Sequence, residues 1–146
     1  MEELLELRRY IEQQQYTEAL DLIADMEEMS REDKLHKIYS FAEILLLHCI
    51  KQAAEQRTTR SWELSMRHAA RHIVRVNTRR KAGGTYVDES ELRALITAAY
   101  QPALERAALE AFEGRHDDHE LGQQVDRAAI EQHALDLIAT YQAEQG

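Results

Sequence analysis

Arg67 and His72 stand five residues apart in the run Arg67-His68-Ala69-Ala70-Arg71-His72. An imidazole that titrates near neutrality can give or take a proton, and a neighbouring guanidinium can hold a phosphate. On that chemistry the pair is the catalytic candidate of the chain. The competing reading is structural: Arg67, His68, Arg71 and Arg75 recur at helical spacing as one basic stripe, and such stripes are ordinarily solvated or locally paired. Trp62, one turn before the stripe, is either an anchor at the edge of the core or, beside those arginines, an aromatic hot spot of a binding face.

Two further groups carry metal-ligating types. His48 needs acidic company, which Asp25, Glu28 or Glu43 supplies if residues 17–29 and 30–55 form two antiparallel helices. Glu43 and His48 point about 140° apart around one helix and lack the Glu-x-x-His spacing of bundle metal sites. A histidine bonded to one acid at the end of the core is the plainer expectation. His116-Asp117-Asp118-His119-Glu120 is rich in ligands but lacks the His-x-x-x-His spacing that aims two imidazoles at one ion. It reads as a solvated loop. His48, His116 and His119 are thus weak metal candidates, and no metal or other cofactor is expected. No Gly-rich phosphate loop precedes a helix, and no serine sits in a nucleophile elbow.

The elements that position these residues are helices. The 146 residues include one Pro and five Gly, and straight-chain helix formers dominate. Leu35, Ile38, Ala42, Leu45 and Cys49 make one seam of a central helix over 30–55, and Tyr39, Leu46, Ile50 and Ala53 a second beside it. Ser30 fits as its cap, with Asp33 over its positive end. Before it, residues 2–13 carry Leu4, Leu5, Leu7 and Ile11 on one side. Residues 17–29, capped by Thr17, carry Ala19, Leu20, Ile23 and Met26.

After a break at 57–59, a helix capped by Thr58, Thr59 or Ser61 turns Trp62, Met66, Ala69, Ile73 and Val76 inward and the Arg/His stripe outward. Paired glycines at 83 and 84 mark the clearest turn. Asp88 and Glu91 then form a capping box for a helix that Pro102 kinks near Tyr100 and that resumes to about Phe112. Its inward side is Leu92, Leu95, Ile96, Ala99 and Ala103. Glu113–Gln124 reads as a loop. The last helix runs from Asp126 to about Tyr141, with Ile130, Ala134, Leu137, Ile138 and Tyr141 inward. The expected fold is all-α: a single domain, 1–146, of five or six helices around a four-helix core, with loops near 80–87 and 113–125.

Composition narrows the function classes. No window approaches the roughly 20 apolar residues of a membrane span, and the first ten residues are acidic and amphipathic rather than a signal peptide. The single Cys49 has no disulfide partner and reads as a buried spectator thiol. These features point to a cytoplasmic protein that engages no membrane. Net charge is −9, yet residues 57–81 hold eight bases against Glu63, a local +7. Such an asymmetry marks a face that pairs with the acidic helices or meets an acidic partner, nucleic acid included.

From about Leu7 to Ala103 the chain resembles a bacterial, largely cyanobacterial family catalogued as domain of unknown function twenty-nine. The resemblance rests on Leu22-Ile23-Ala24-Asp25-Met26-Glu27-Glu28-Met29, on Leu45-Leu46-Leu47-His48-Cys49-Ile50-Lys51, on Ser61-Trp62, and on Tyr100-Gln101-Pro102-Ala103. Ala24 stands where the family usually has an acid. The resemblance implies a helical fold and brings no activity with it. Separately, Arg67 and His72 are similar to the Arg-x4–6-His motif of HEPN-type ribonucleases, which implies metal-independent attack by an RNA 2′-hydroxyl. The expected function is a non-enzymatic protein-interaction or regulatory module, self-associating through the basic helix and its Arg67, His68, Arg71, Arg75 and Trp62. The alternative is that ribonuclease, with Arg67 and His72 catalytic.

Overall fold

The structure, a computed structural model, describes residues 2–79 and 81–145; Arg80, part of the basic run, lies outside them. The described residues form six α-helices and one 3₁₀ turn: α1 Glu2–Glu12, α2 Tyr16–Glu55, α3 Arg60–Asn77, α4 Glu89–Glu110, the 3₁₀ turn Ala111–Gly114, α5 Asp118–Gly122 and α6 Arg127–Gln145. The fold is all-α. The sole extended pairing among the described residues is an isolated bridge between Thr78 and Thr85. No described helix is long and apolar enough to cross a membrane.

The chain falls into two compact units, Met1–Leu35 and His36–Gly146. The larger unit holds the core. Ile38, Ala42, Leu45, Leu46, Cys49 and Ile50 of α2 are buried, as the predicted seams require, although Leu35 and Tyr39 are only partly buried and Ala53 is exposed. Met66, Ala69, Ala70, Ile73 and Val74 come in from α3; Ile96, Ala99, Tyr100, Ala103 and Leu104 from α4; Ile130, Ala134, Leu135 and Ile138 from α6. The core is aliphatic and closes with alanines, which let helix backbones approach closely. Burial pushes the Cys49 thiol up to about 12, so its thiolate is suppressed and the residue packs as a small hydrophobe.

Caps and latches fix the helix ends. Thr59 is the N-cap of α3 and accepts from the Trp62 amide at 3.0 Å. Asp88 and Glu91 make the predicted capping box of α4. Gly83 and Gly84 both take positive φ, 77° and 72°, in the turn that the Thr78–Thr85 bridge closes. Arg127 ties α6 to α4: it donates to the Thr97 carbonyl at 3.1 Å and lies 4.5 Å over the Tyr100 ring.

Several boundaries differ from the sequence expectation. The turn expected at Ser30 is absent, because residues 16–55 form one helix of 40 residues. Ser30 and Thr17 both lie within it and neither caps a helix start. The run Met26–Lys34 contains no Gly or Pro, and a serine inside a helix costs a fraction of a kcal/mol, far less than two new helix ends. Pro102 stays inside an uninterrupted α4. That helix stops at Glu110, where Phe112 and Glu113 adopt φ of 51° and 59°. The segment expected as a loop at 113–125 is partly ordered by α5, whose own capping box joins Asp117 and Glu120. The last helix runs four residues beyond Tyr141, to Gln145.

The smaller unit departs most. α1 buries none of its residues, and Ala19 is the sole buried residue among positions 2–35. Leu4, Leu5, Ile11 and Leu20, expected inward, are exposed.

Leu45 is fully buried on the main seam. Leu45→Ala is expected to lower unfolding free energy by about 2–5 kcal/mol in urea melts, the usual cost of a large-to-small core change.

Candidate functional site

α3 presents two unlike faces. Met66, Ala69, Ala70, Ile73, Val74 and Asn77 are buried, while Leu64, Arg67, His68, Arg71 and Arg75, spaced by threes and fours, lie exposed along one outer stripe. Arg71 stacks on Tyr141, its guanidinium carbon 4.9 Å from the ring centroid. The side chains of Arg67, His68 and Arg75 have no hydrogen bond or ion pair among the described residues. The stripe is therefore open on α3 rather than neutralised in place.

His72 is exposed but not free: its ring stacks on Phe41 with centroids 4.8 Å apart and planes 10° from parallel. Arg67 and His72 sit about 140° apart around the helix. Clefts of about 380, 290 and 490 Å³ occur elsewhere on the larger unit, and neither residue lines any of the three.

Trp62 is half-buried and serves as a cation platform. Lys51 Nζ lies 4.6 Å from its ring centroid and the Arg57 guanidinium 4.7 Å. Lys51 is only 6 % exposed, and Glu110 accepts from its amine at 3.0 Å. A buried ammonium loses much hydration, so the carboxylate and the ring face together offset that cost. A second ion pair, Arg106 to Glu43 at 3.2 Å, again joins α4 to α2. Both pairs link residues some sixty positions apart in the chain.

His48 sits among these cations. Burial lowers its pKa, Lys51 and Arg106 lower it further, and Glu110 alone opposes them. Its Nδ1 is buried and has no hydrogen-bond partner among the described residues. A neutral imidazole in this place is a packing residue held against positive charge. Asp25 and Glu28 were to reach it through a turn at Ser30 that does not form.

His116 and His119 take separate partners. His116 Nδ1 lies 3.5 Å from Glu120 and its ring meets Phe112 edge-on, while His119 Nε2 lies 3.1 Å from Gln123 Nε2. Among the described residues no three His, Cys, Asp or Glu come together as a metal site.

Two features go beyond the sequence reading. Asn77 is buried and its side chain pairs with one residue twice, donating to the Val87 carbonyl at 3.3 Å and accepting from the Val87 amide at 2.9 Å, beside the 380 Å³ cleft. The other is the N-terminal unit. Its two helices meet at a turn in which Gln14 takes φ of 60° and the Gln15 amide bonds the Tyr10 carbonyl at 2.8 Å. Leu4, Leu5, Ile11, Tyr16, Leu20 and Met29 are each about half to two-thirds exposed there. Residues 1–35 carry eleven acids against four bases, a net −7.

No family model, curated protein or solved structure matches the chain.

The His48 shift sets a pH dependence with a definite sign. Its folded pKa lies below the ordinary 6.5, so the unfolded chain binds a proton first. That contribution is complete above the ordinary value and is lost as pH falls through the folded one. Urea midpoints of the native chain and of His48→Gln are expected to show native stability falling, relative to the variant, as pH drops below 6.5. A difference constant across pH would contradict a neutral His48.

Proposed function

We propose that the chain is a non-enzymatic protein-interaction module whose N-terminal helical hairpin is its docking element. One observation carries the reading. Six large apolar side chains stand exposed in a unit where Ala19 is the sole buried residue among positions 2–35. Isolated apolar side chains on a surface are ordinary; a hairpin that exposes half of its large apolar side chains, with Leu7, Leu22, Ile23, Met26 and Leu35 only partly buried, is an uncovered half of a packing unit.

The magnitudes fit a reversible contact. Covering what remains exposed on these side chains is worth about 1–2 kcal/mol each. Summed over six, that is the same order as the roughly 4–15 kcal/mol cost of association. Hydrophobic burial alone therefore gives weak binding, and the charge of the hairpin selects the partner. Its −7 net charge fits a basic amphipathic helix, whose cations meet the acids that flank the apolar positions.

A labelled model peptide of leucines and lysines at helical spacing supplies the test, with a leucine–glutamate peptide of the same pattern as control. Fluorescence anisotropy is expected to show binding of the basic peptide, weakening as salt rises and abolished by Leu5→Glu with Leu20→Glu. Equal binding of both peptides, or none, would refute the reading. Metal-independent cleavage of single-stranded RNA, lost in His72→Ala, would replace it with the ribonuclease alternative through Arg67 and His72.

A further inference from the structure

The basic helical face that best fits the hairpin is on this same chain. We infer that the partner is a second copy, with the acidic hairpin of each protomer packed on the outer stripe of the other's α3. This deepens the interaction reading and rests on it.

Three observations converge. The first is charge: residues 1–35 carry −7 and residues 57–81 carry +7. The second is that several charged side chains on each side have no partner among the described residues. The side chains of Glu18, Asp21, Asp25, Glu27 and Glu28 on the hairpin have no hydrogen bond or ion pair among the described residues, and the same holds for the side chains of Arg67, His68 and Arg75 on α3. The third is shape. The stripe on α3 is not purely charged, since Leu64 is 47 % exposed at its head. Its 18 residues span roughly 27 Å, and residues 16–35 of α2 span roughly 30 Å, so the two helices match in length. An apolar side chain ringed by bases is the complement of apolar side chains ringed by acids.

Symmetry then doubles the contact. In a two-fold dimer each copy gives a hairpin and receives one, so every pairing occurs twice. The main competitor is a four-helix bundle of the two hairpins alone. It would bring −7 against −7 and leave both α3 stripes uncompensated.

Sedimentation of charge-reversed variants decides between these arrangements, with circular dichroism confirming that each remains folded. The native chain is expected to form a dimer that dissociates as salt rises. Glu18→Lys with Asp25→Lys should be monomeric, because two lysines then face the arginines of α3 and the net charge of the hairpin falls from −7 to −3. Arg67→Glu with Arg75→Glu should be monomeric for the opposite reason. Mixing these two variants should restore a dimer containing one of each, since both contacts are again between opposite charges. If the α3 variant remains dimeric, the hairpins pair with each other and the inference is overturned. A native chain that stays monomeric at every concentration also overturns it; if such a chain still binds the leucine–lysine peptide, the interaction reading survives without self-association.

Discussion

The constraint on which the larger unit depends is that the second half of α2 is apolar on nearly all sides and must be covered on all of them. Leu45, Leu46 and Ile50 are fully buried, and Leu47 and Cys49 nearly so. One neighbouring helix covers one stripe; several are needed to cover a circumference. α3, α4 and α6 each contribute a buried seam, and polar ties hold them where burial requires. Lys51–Glu110 and Arg106–Glu43 join α2 to α4, and Arg127 joins α6 to α4. The same ties place Trp62 under Lys51 and Arg57, and leave His48 neutral among cations.

The first half of the same helix obeys the opposite rule. Residues 16–35 bury only Ala19 and are dominated by acids. A two-helix hairpin has too little interior to hide its leucines, so α1 and this half of α2 show them to solvent. One chain, then, holds a unit with a complete core and a unit without one. The functional proposal follows from that contrast together with the division of charge.

What the sequence revealed was set by local physics. The core seams were legible because helical periodicity writes burial directly into spacing, as at Ile38, Ala42, Leu45 and Cys49. Asp88 was legible as a cap, and Thr59 as one of three candidates with Thr58 and Ser61, because such side chains act on amides two or three residues away. Ser30 misled for the same reason: its local capping signal is genuine, but a continuous run of helix formers outweighs it. Leu4, Leu5, Ile11 and Leu20 misled because periodicity reports which side is apolar, not whether anything covers it. Lys51–Glu110 and Arg106–Glu43 depend on packing between distant segments and leave no local trace. The Arg/His stripe of α3 was legible as an outer face, and its position opposite Met66, Ala69 and Ile73 agrees with that spacing.

Hydrogen exchange of the native chain at rising protein concentration tests the central claim most directly, because it reads each segment separately. Residues 36–55 should be strongly protected at every concentration, since they form the core. Amides of residues 2–35 and 60–77 should exchange faster in dilute solution and gain protection together as concentration rises. Protection of the hairpin that is independent of concentration, or that appears without any change in α3, would contradict the account.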